Sequence, residues 1–220
     1  TALCGQPTFE FFASFGQDGS GNPGCTVAAS GACAVYTCTG TQMNPIGVSA
    51  GTLTISGGSL GNGVTVTPDG TNSYQYQSMG TLFSAGQALT VEASGATVPA
   101  FGPVSVVAPG LPILTAPAGA ATGAYTISTK SDLKVAWSGG DSSAQVILEG
   151  ATSNSASYFT CVWASSLGEA TVPQATLAPL AGQGAGYLIY GQYTSTSFNA
   201  GAYSLSAQAL PYTGGTATFD

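Results

Sequence analysis

Along much of the chain, large apolar residues alternate with small or polar ones, the period of two that sends successive side chains to opposite faces of a strand. The clearest case is Leu133-Lys134-Val135-Ala136-Trp137. It is followed by a Ser/Gly/Asp run from Ser138 to Ser143, and then by Ala144, Val146 and Leu148 in alternation. This pattern predicts a β-hairpin over 133–148 with one buried face. Near the N-terminus Phe9, Phe11, Ala13 and Phe15 alternate with Thr8, Glu10, Phe12 and Ser14, which predicts a strand with a strongly apolar face.

Shorter segments of the same kind follow. Leu53–Ile55 stops at Gly57-Gly58, and Val64–Val66 meets the turn cluster Pro68–Asn72 and returns as Tyr74–Tyr76. Leu89–Val91 stops at Gly95, and Val104–Val106 stops at Pro109. The second half adds Tyr125–Ile127, Tyr158–Trp163, Tyr187–Tyr190, Tyr203–Ser206 and Thr216–Phe219. Phe159, Cys161 and Trp163 share one side of their strand, where Trp137 can pack on them. Only Val172–Leu180 suggests a helix, a short turn near 173–181 with a proline at its start. Strands separated by Gly, Pro, Asn and Asp at this spacing predict an all-β fold: one or two antiparallel β-sandwich domains. The Pro/Gly/Ala-rich run from Pro109 to Gly123 suggests a boundary near 118, giving an N-terminal sandwich over 1–118 and a second over 119–220.

The Trp-bearing strand, the Gly-Gly turn and the Val-x-Leu return of residues 125–220 resemble the Ig-like modules of bacterial secreted and cell-surface proteins. The resemblance implies an Ig-like sandwich of the envelope or extracellular space and brings no catalytic residues. The Cys…Trp…Cys spacing of antibody-type domains is missing, since only Cys161 lies in that half.

Four of the five cysteines fall within the first 38 residues. This clustering fits an oxidising compartment and a local disulfide framework. With Gly31-Ala32 as a two-residue hairpin loop, Ser30 pairs with Cys33 and Cys25 comes opposite Cys38, within bridging reach. That arrangement leaves Cys4 to pair with Cys33 and makes Cys161 a buried free thiol.

Charge changes the picture most. Only 5% of the 220 residues are charged, with two Lys or Arg, nine carboxylates and no histidine, for a formal net charge of −7. Nucleic acid needs clusters of Lys or Arg, and Lys130 and Lys134 are the only cations; docking to anionic lipid fails for the same reason. No apolar run approaches the roughly 20 residues of a membrane helix, and no leader precedes the chain, so it reads as a mature, extracellular or cell-surface product.

The same deficit weighs against catalysis. Without histidine, Ser–His–Asp and Cys–His arrangements cannot form. Asp18, Asp69 and Asp141 sit beside turns and Glu92 and Glu149 at exposed strand positions, so no catalytic carboxylate pair stands out. No catalytic residue or cofactor is assigned. Asp18, Ser20 and Asn22 offer oxygens at alternate positions, a loose calcium candidate, although Pro23 and Ala29 depart from the EF-hand pattern. Tyr74, Tyr76, Tyr187 and Tyr190 are candidates for stacking on sugars. Phe9, Phe11 and Phe15 mark a strand that could add to the sheet edge of a second copy.

These observations point first to a non-enzymatic structural protein that associates with copies of itself in a filament, fibre or coat. The alternative is a carbohydrate-binding or adhesion module whose partner is a cell-surface glycan.

Overall fold

The computed structural model describes residues 9–15, 25–39, 47–78, 82–153 and 156–220. Among them the fold is all-β, an open sandwich of mostly antiparallel sheets with one short α-helix. In chain order the strands of the first half are β1 (Phe9–Ser14), β2 (Cys25–Ser30), β3 (Cys33–Cys38), β4 (Leu53–Gly57), β5 (Val64–Val66), β6 (Ser73–Ser78), β7 (Ala88–Ala93), β8 (Phe101–Val107) and β9 (Ile113–Ala116). The second half holds β10 (Ala124–Ile127), β11 (Leu133–Ser138), β12 (Gln145–Thr152), β13 (Ser157–Ala164), β14 (Glu169–Val172), the helix α1 (Gln174–Leu177), β15 (Gly184–Ala200), β16 (Tyr203–Ala209) and β17 (Tyr212–Phe219).

The largest sheet runs β10-β17-β15-β12-β13-β3-β2, with β16 paired to the far end of β15. Every pairing in it is antiparallel except β10 with β17, which is parallel. Its inner face packs on the three-stranded sheet β14-β11-β9. Val135 and Trp137 from the small sheet meet Val146, Leu148, Phe159, Cys161 and Trp163 from the large one in a single buried cluster. The Trp137 and Trp163 rings lie 6.0 Å apart, and the Trp137 indole N–H donates to the Ser165 carbonyl at 2.9 Å. Each such side chain removed from water contributes roughly 1.5–3 kcal/mol.

The segment 133–148 is therefore not a hairpin. β11 pairs with β9 and β14, whereas β12 pairs with β13 and β15, so the turn crosses between two facing sheets. Alternation fixes which residues point inward but not which strand lies alongside, and here both apolar faces meet across the core. Gln192, fully buried, holds the crossing: its Oε1 accepts the Asp141 N–H at 2.7 Å and its Nε2 donates to the Ser165 hydroxyl.

A second cluster lies between β4-β5-β7-β8 and the segment around β1 and β6. It gathers Phe15, Leu53, Ile55, Val66, Tyr74 and Val98, and it takes in Ala200 from the end of β15. Residue 118 does not separate the two cores: Cys33, Val35 and Leu114 belong to the cluster dominated by the second half, and Ala200 to the other. The Pro/Gly/Ala run is a crossing inside the fold, because β3 from the first half is hydrogen-bonded to β13 from the second.

That pairing also corrects the disulfide map. Cys25 and Cys38 are bridged across the β2–β3 ladder, where they sit opposite each other. Cys33 is bridged to Cys161, its register partner on β13, and not to Cys4. Cys161 is no free thiol. Cys4 lies outside the described residues. The 128-residue separation hides this neighbour from any local reading of the chain.

One glycine is required by packing. Gly150 faces inward on β12 opposite Phe159, and a Cβ there would lie 2.4 Å from the ring's Cε1 and 2.8 Å from its Cζ. In an ordinary strand Gly→Ala stabilises slightly. Gly150→Ala is expected instead to cost about 1–3 kcal/mol, the usual penalty for overpacking, and to lower the thermal midpoint by several degrees. A midpoint unchanged or raised in calorimetry would mean that Phe159 can move aside.

Candidate functional site

The outer face of the large sheet carries the aromatic residues that the inner core does not use. On β3, Cys33 and Val35 are buried and Tyr36 points the other way; on β13, Phe159 and Cys161 are buried and Tyr158 faces out. The register places Tyr36 opposite Tyr158, Tyr158 opposite Ala151 on β12, and Ala151 opposite Tyr187 on β15. A row Tyr36-Tyr158-Ala151-Tyr187 thus crosses four adjacent strands. The Tyr36 and Tyr158 rings stack at 4.5 Å with planes 6° apart. Tyr158 and Tyr187 stand two strand spacings apart, roughly 9–10 Å. Ala151 between them is 1% exposed although it faces outward.

The next row contains Thr160, Glu149 and Ile189. Glu149 is half-buried, not freely exposed as its strand position suggests, and burial raises its carboxyl pKa. Burial likewise raises the Tyr187 phenol, helped by the Glu149 charge and by Tyr158. Tyr187 is therefore a hydrogen-bond donor at neutral pH, and Glu149 an acceptor beside it. Toward the other end, Tyr193 donates to the Gln145 side chain. Two apolar ring faces flanking one acceptor and several hydroxyls can grip a polyol: C–H faces lie on the rings while a hydroxyl donates to the carboxylate.

Between its ordinary value of 4.5 and its raised value in the fold, Glu149 keeps a proton that the unfolded chain has already lost. Folding stability is then expected to fall as pH rises through that window and to be level in this respect below it. Glu149→Gln should remove the slope and be the more stable protein above the window. Thermal midpoints of both proteins from pH 4 to 7 check this; parallel curves would contradict it.

Of the tyrosines singled out in the sequence, only Tyr187 is on this face. Tyr74 is 0% exposed; its hydroxyl accepts the Ala50 N–H at 2.9 Å and donates to the Gly51 carbonyl at 2.8 Å. Tyr76 packs against the second core and Tyr190 against the first. Tyr36 and Tyr158 were missed, although a signal existed: each falls out of phase with its strand's most apolar residues, whereas Tyr190 is in phase with Leu188.

The N-terminal strand is engaged within the chain, since β1 pairs with β6 along its whole length, from Phe9↔Ser78 to Ser14↔Ser73. Phe15 is a core residue, edge-on to Tyr74 at 5.6 Å, so the strand does not end in a free apolar side chain. The side chains of Phe9 and Phe11 lie outside the described set. So do the calcium candidates Asp18, Ser20 and Asn22. Among the described residues no group of three His, Cys, Asp or Glu could hold a metal ion. Asp69 and Asp141 serve as turn caps: Asp69 accepts from the Thr71 hydroxyl and from the Ser73 and Thr71 N–H groups, and Asp141 from the Ser143 N–H and hydroxyl. These bonds lower both carboxyl pKa values. No helix among the described residues is long and apolar enough to cross a membrane.

No family model matches the chain, and no curated protein matches it. Among solved structures it has a weak likeness to a Ca²⁺-stabilised adhesin that helps an Antarctic bacterium reach out and bind ice. The identity is 16% and the TM-score 0.19, over 86% of this chain and 44% of that one. A 1.5-MDa bacterial ice-binding adhesin gives 10% identity and a TM-score of 0.23, over 86% of this chain and 58% of the other. The chain thus spans about half of each of these two structures.

Proposed function

We propose that the protein is a non-enzymatic carbohydrate-binding or adhesion module working outside the cell or on its surface, and that the Tyr36-Tyr158-Tyr187 row is its binding face. The observation that carries this reading is the row itself: three aromatic side chains out of phase with the core, brought together by pairings between strands distant in sequence, beside one half-buried carboxylate. Single exposed tyrosines are ordinary in strands, but a contiguous outward row adds nothing to the core beneath it. Two disulfides and a chain almost free of ionic side chains support an extracellular setting.

Charge narrows the ligand. With a net charge of −7 and only Lys130 and Lys134 as cations, a neutral glycan suits the face better than a sulfated or uronic one. Self-association through the N-terminal strand is the less favoured reading, because Phe15 is buried in the chain's own core and β6 already takes one edge of β1. The test is an array of immobilised neutral polysaccharides and their sulfated or uronic counterparts, probed with the native protein and with Tyr187→Ala. Binding to neutral glycans that the variant loses is expected. Binding confined to the anionic glycans, or retained in full by the variant, would contradict the proposal.

A further inference from the structure

β15 leaves the large sheet halfway along its length, and its second half pairs with β16 from Thr194↔Ala209 to Ala200↔Tyr203. This two-stranded ribbon leans on the edge of β8, where the Thr194 and Thr196 hydroxyls donate to the Val107 and Ser105 carbonyls, the latter at 2.9 Å. Its outer positions are polar (Ser195, Ser197, Ser204, Ser206). Its inner face carries Phe198 and Leu205 at one end, and the smaller Thr194, Thr196, Ala207 and Ala209 at the other. Opposite stand Leu89, Val91, Phe101 and Val106 of β7 and β8.

Two facing apolar surfaces normally close on each other at the density of an organic crystal. Here they do not. Between ribbon and sheet lies a cleft of about 720 Å³, within the range of small-molecule sites. Its walls hold Leu89, Val91, Phe101, Phe198 and Leu205 half-buried, so large side chains border the space instead of filling it. The residues bordering it along β16 run from Ser204 to Leu210, six residue steps or about 20 Å, with the polar Ser204, Ser206 and Gln208 among them. None of the described residues lining it is charged, and neither lysine of the chain is among them.

We infer that this cleft binds one elongated, uncharged, lipid-like molecule: a long apolar chain with a neutral head such as an alcohol or ester. The chain would lie along Leu89, Val91 and Ala207, and the head would meet the hydroxyls at the rim. An anionic head would find no cation there and would face a protein of net charge −7. This site is separate from the tyrosine face and does not rest on the glycan reading.

The experiment titrates the protein with the neutral apolar dye N-phenyl-1-naphthylamine and then displaces the dye. Fluorescence is expected to saturate at one dye per chain, with 1-decanol displacing the dye at a concentration at least tenfold lower than decanoate at pH 8. Ala207→Phe, which puts a ring into the space beside Leu89 and Val91, should weaken dye binding at least tenfold without lowering the melting midpoint. Val91→Phe approaches the same space from the opposite wall and should act alike if the first variant does not fold. Fluorescence that never saturates, equal displacement by decanol and decanoate, or a folded variant that binds like the native protein would each overturn the inference.

Discussion

Replacing Cys33 and Cys161 together by alanine is expected to cost about 2–5 kcal/mol, a fall of roughly 5–20 °C in the thermal midpoint of a chain this long. The bridge closes a loop of 128 residues, whereas Cys25–Cys38 spans only 13. Constraint of the unfolded chain grows with loop length, so the long bridge is worth more, about 5 against about 3 kcal/mol on the entropic view. Position strengthens the argument. Cys25–Cys38 lies within one hairpin, and its loss leaves the register of β2 and β3 to the ladder they already share. Cys33–Cys161 ties that hairpin to β13 in the middle of the main core. The hairpin supplies Tyr36, so loosening it should also disturb the outer face. Calorimetry of the two double variants compares them directly. A larger fall for Cys25→Ala/Cys38→Ala would contradict this ranking.

Replacing Tyr158 and Tyr187 together by alanine is expected to abolish glycan binding while leaving the fold intact. Removing a central aromatic contact typically costs a binding site about 1.4 kcal/mol or more, tenfold in affinity, and here two go together. Both rings are half-buried on an outer face, so the midpoint should move by only a few degrees. Tyr190→Ala is the control. It packs against the inner core, so it should lower stability and leave the affinity of the folded protein unchanged. Titration calorimetry with a glycan from the array, alongside thermal melts, separates the two effects. Loss of binding in Tyr190→Ala with retention in the outer-face variant would reverse the assignment.

The all-β class and the short helix near 173–181 were legible in the sequence because they depend on local alternation and turn residues. So was the pairing of Cys25 with Cys38 on adjacent strands, since a two-residue turn sets that register. Strand partnership at long range was not legible. Leu133–Leu148 has the signature of a hairpin, yet its two strands belong to opposite sheets; Cys33 finds its partner on a strand that no nearby residue announces. The site failed for a related reason. Tyr74 and Tyr76 sit beside a turn as exposed residues would, but β1 and the loop around Ala50 cover that turn's strand. Tyr36, Tyr158 and Tyr187 belong to three separate segments, and only the sheet makes them neighbours. Their phase against Val35, Phe159 and Leu188 was readable, and it was the one clue available.

The most direct measurement is an NMR titration of the protein, labelled at its ten tyrosine rings, with a neutral oligosaccharide. The ring signals of Tyr36, Tyr158 and Tyr187 should shift together and saturate, while those of the buried Tyr74 and Tyr125 stay in place. Saturable shifts that spare these three rings, or no shift at any ring with a glycan the protein retains, would contradict the assignment of this face.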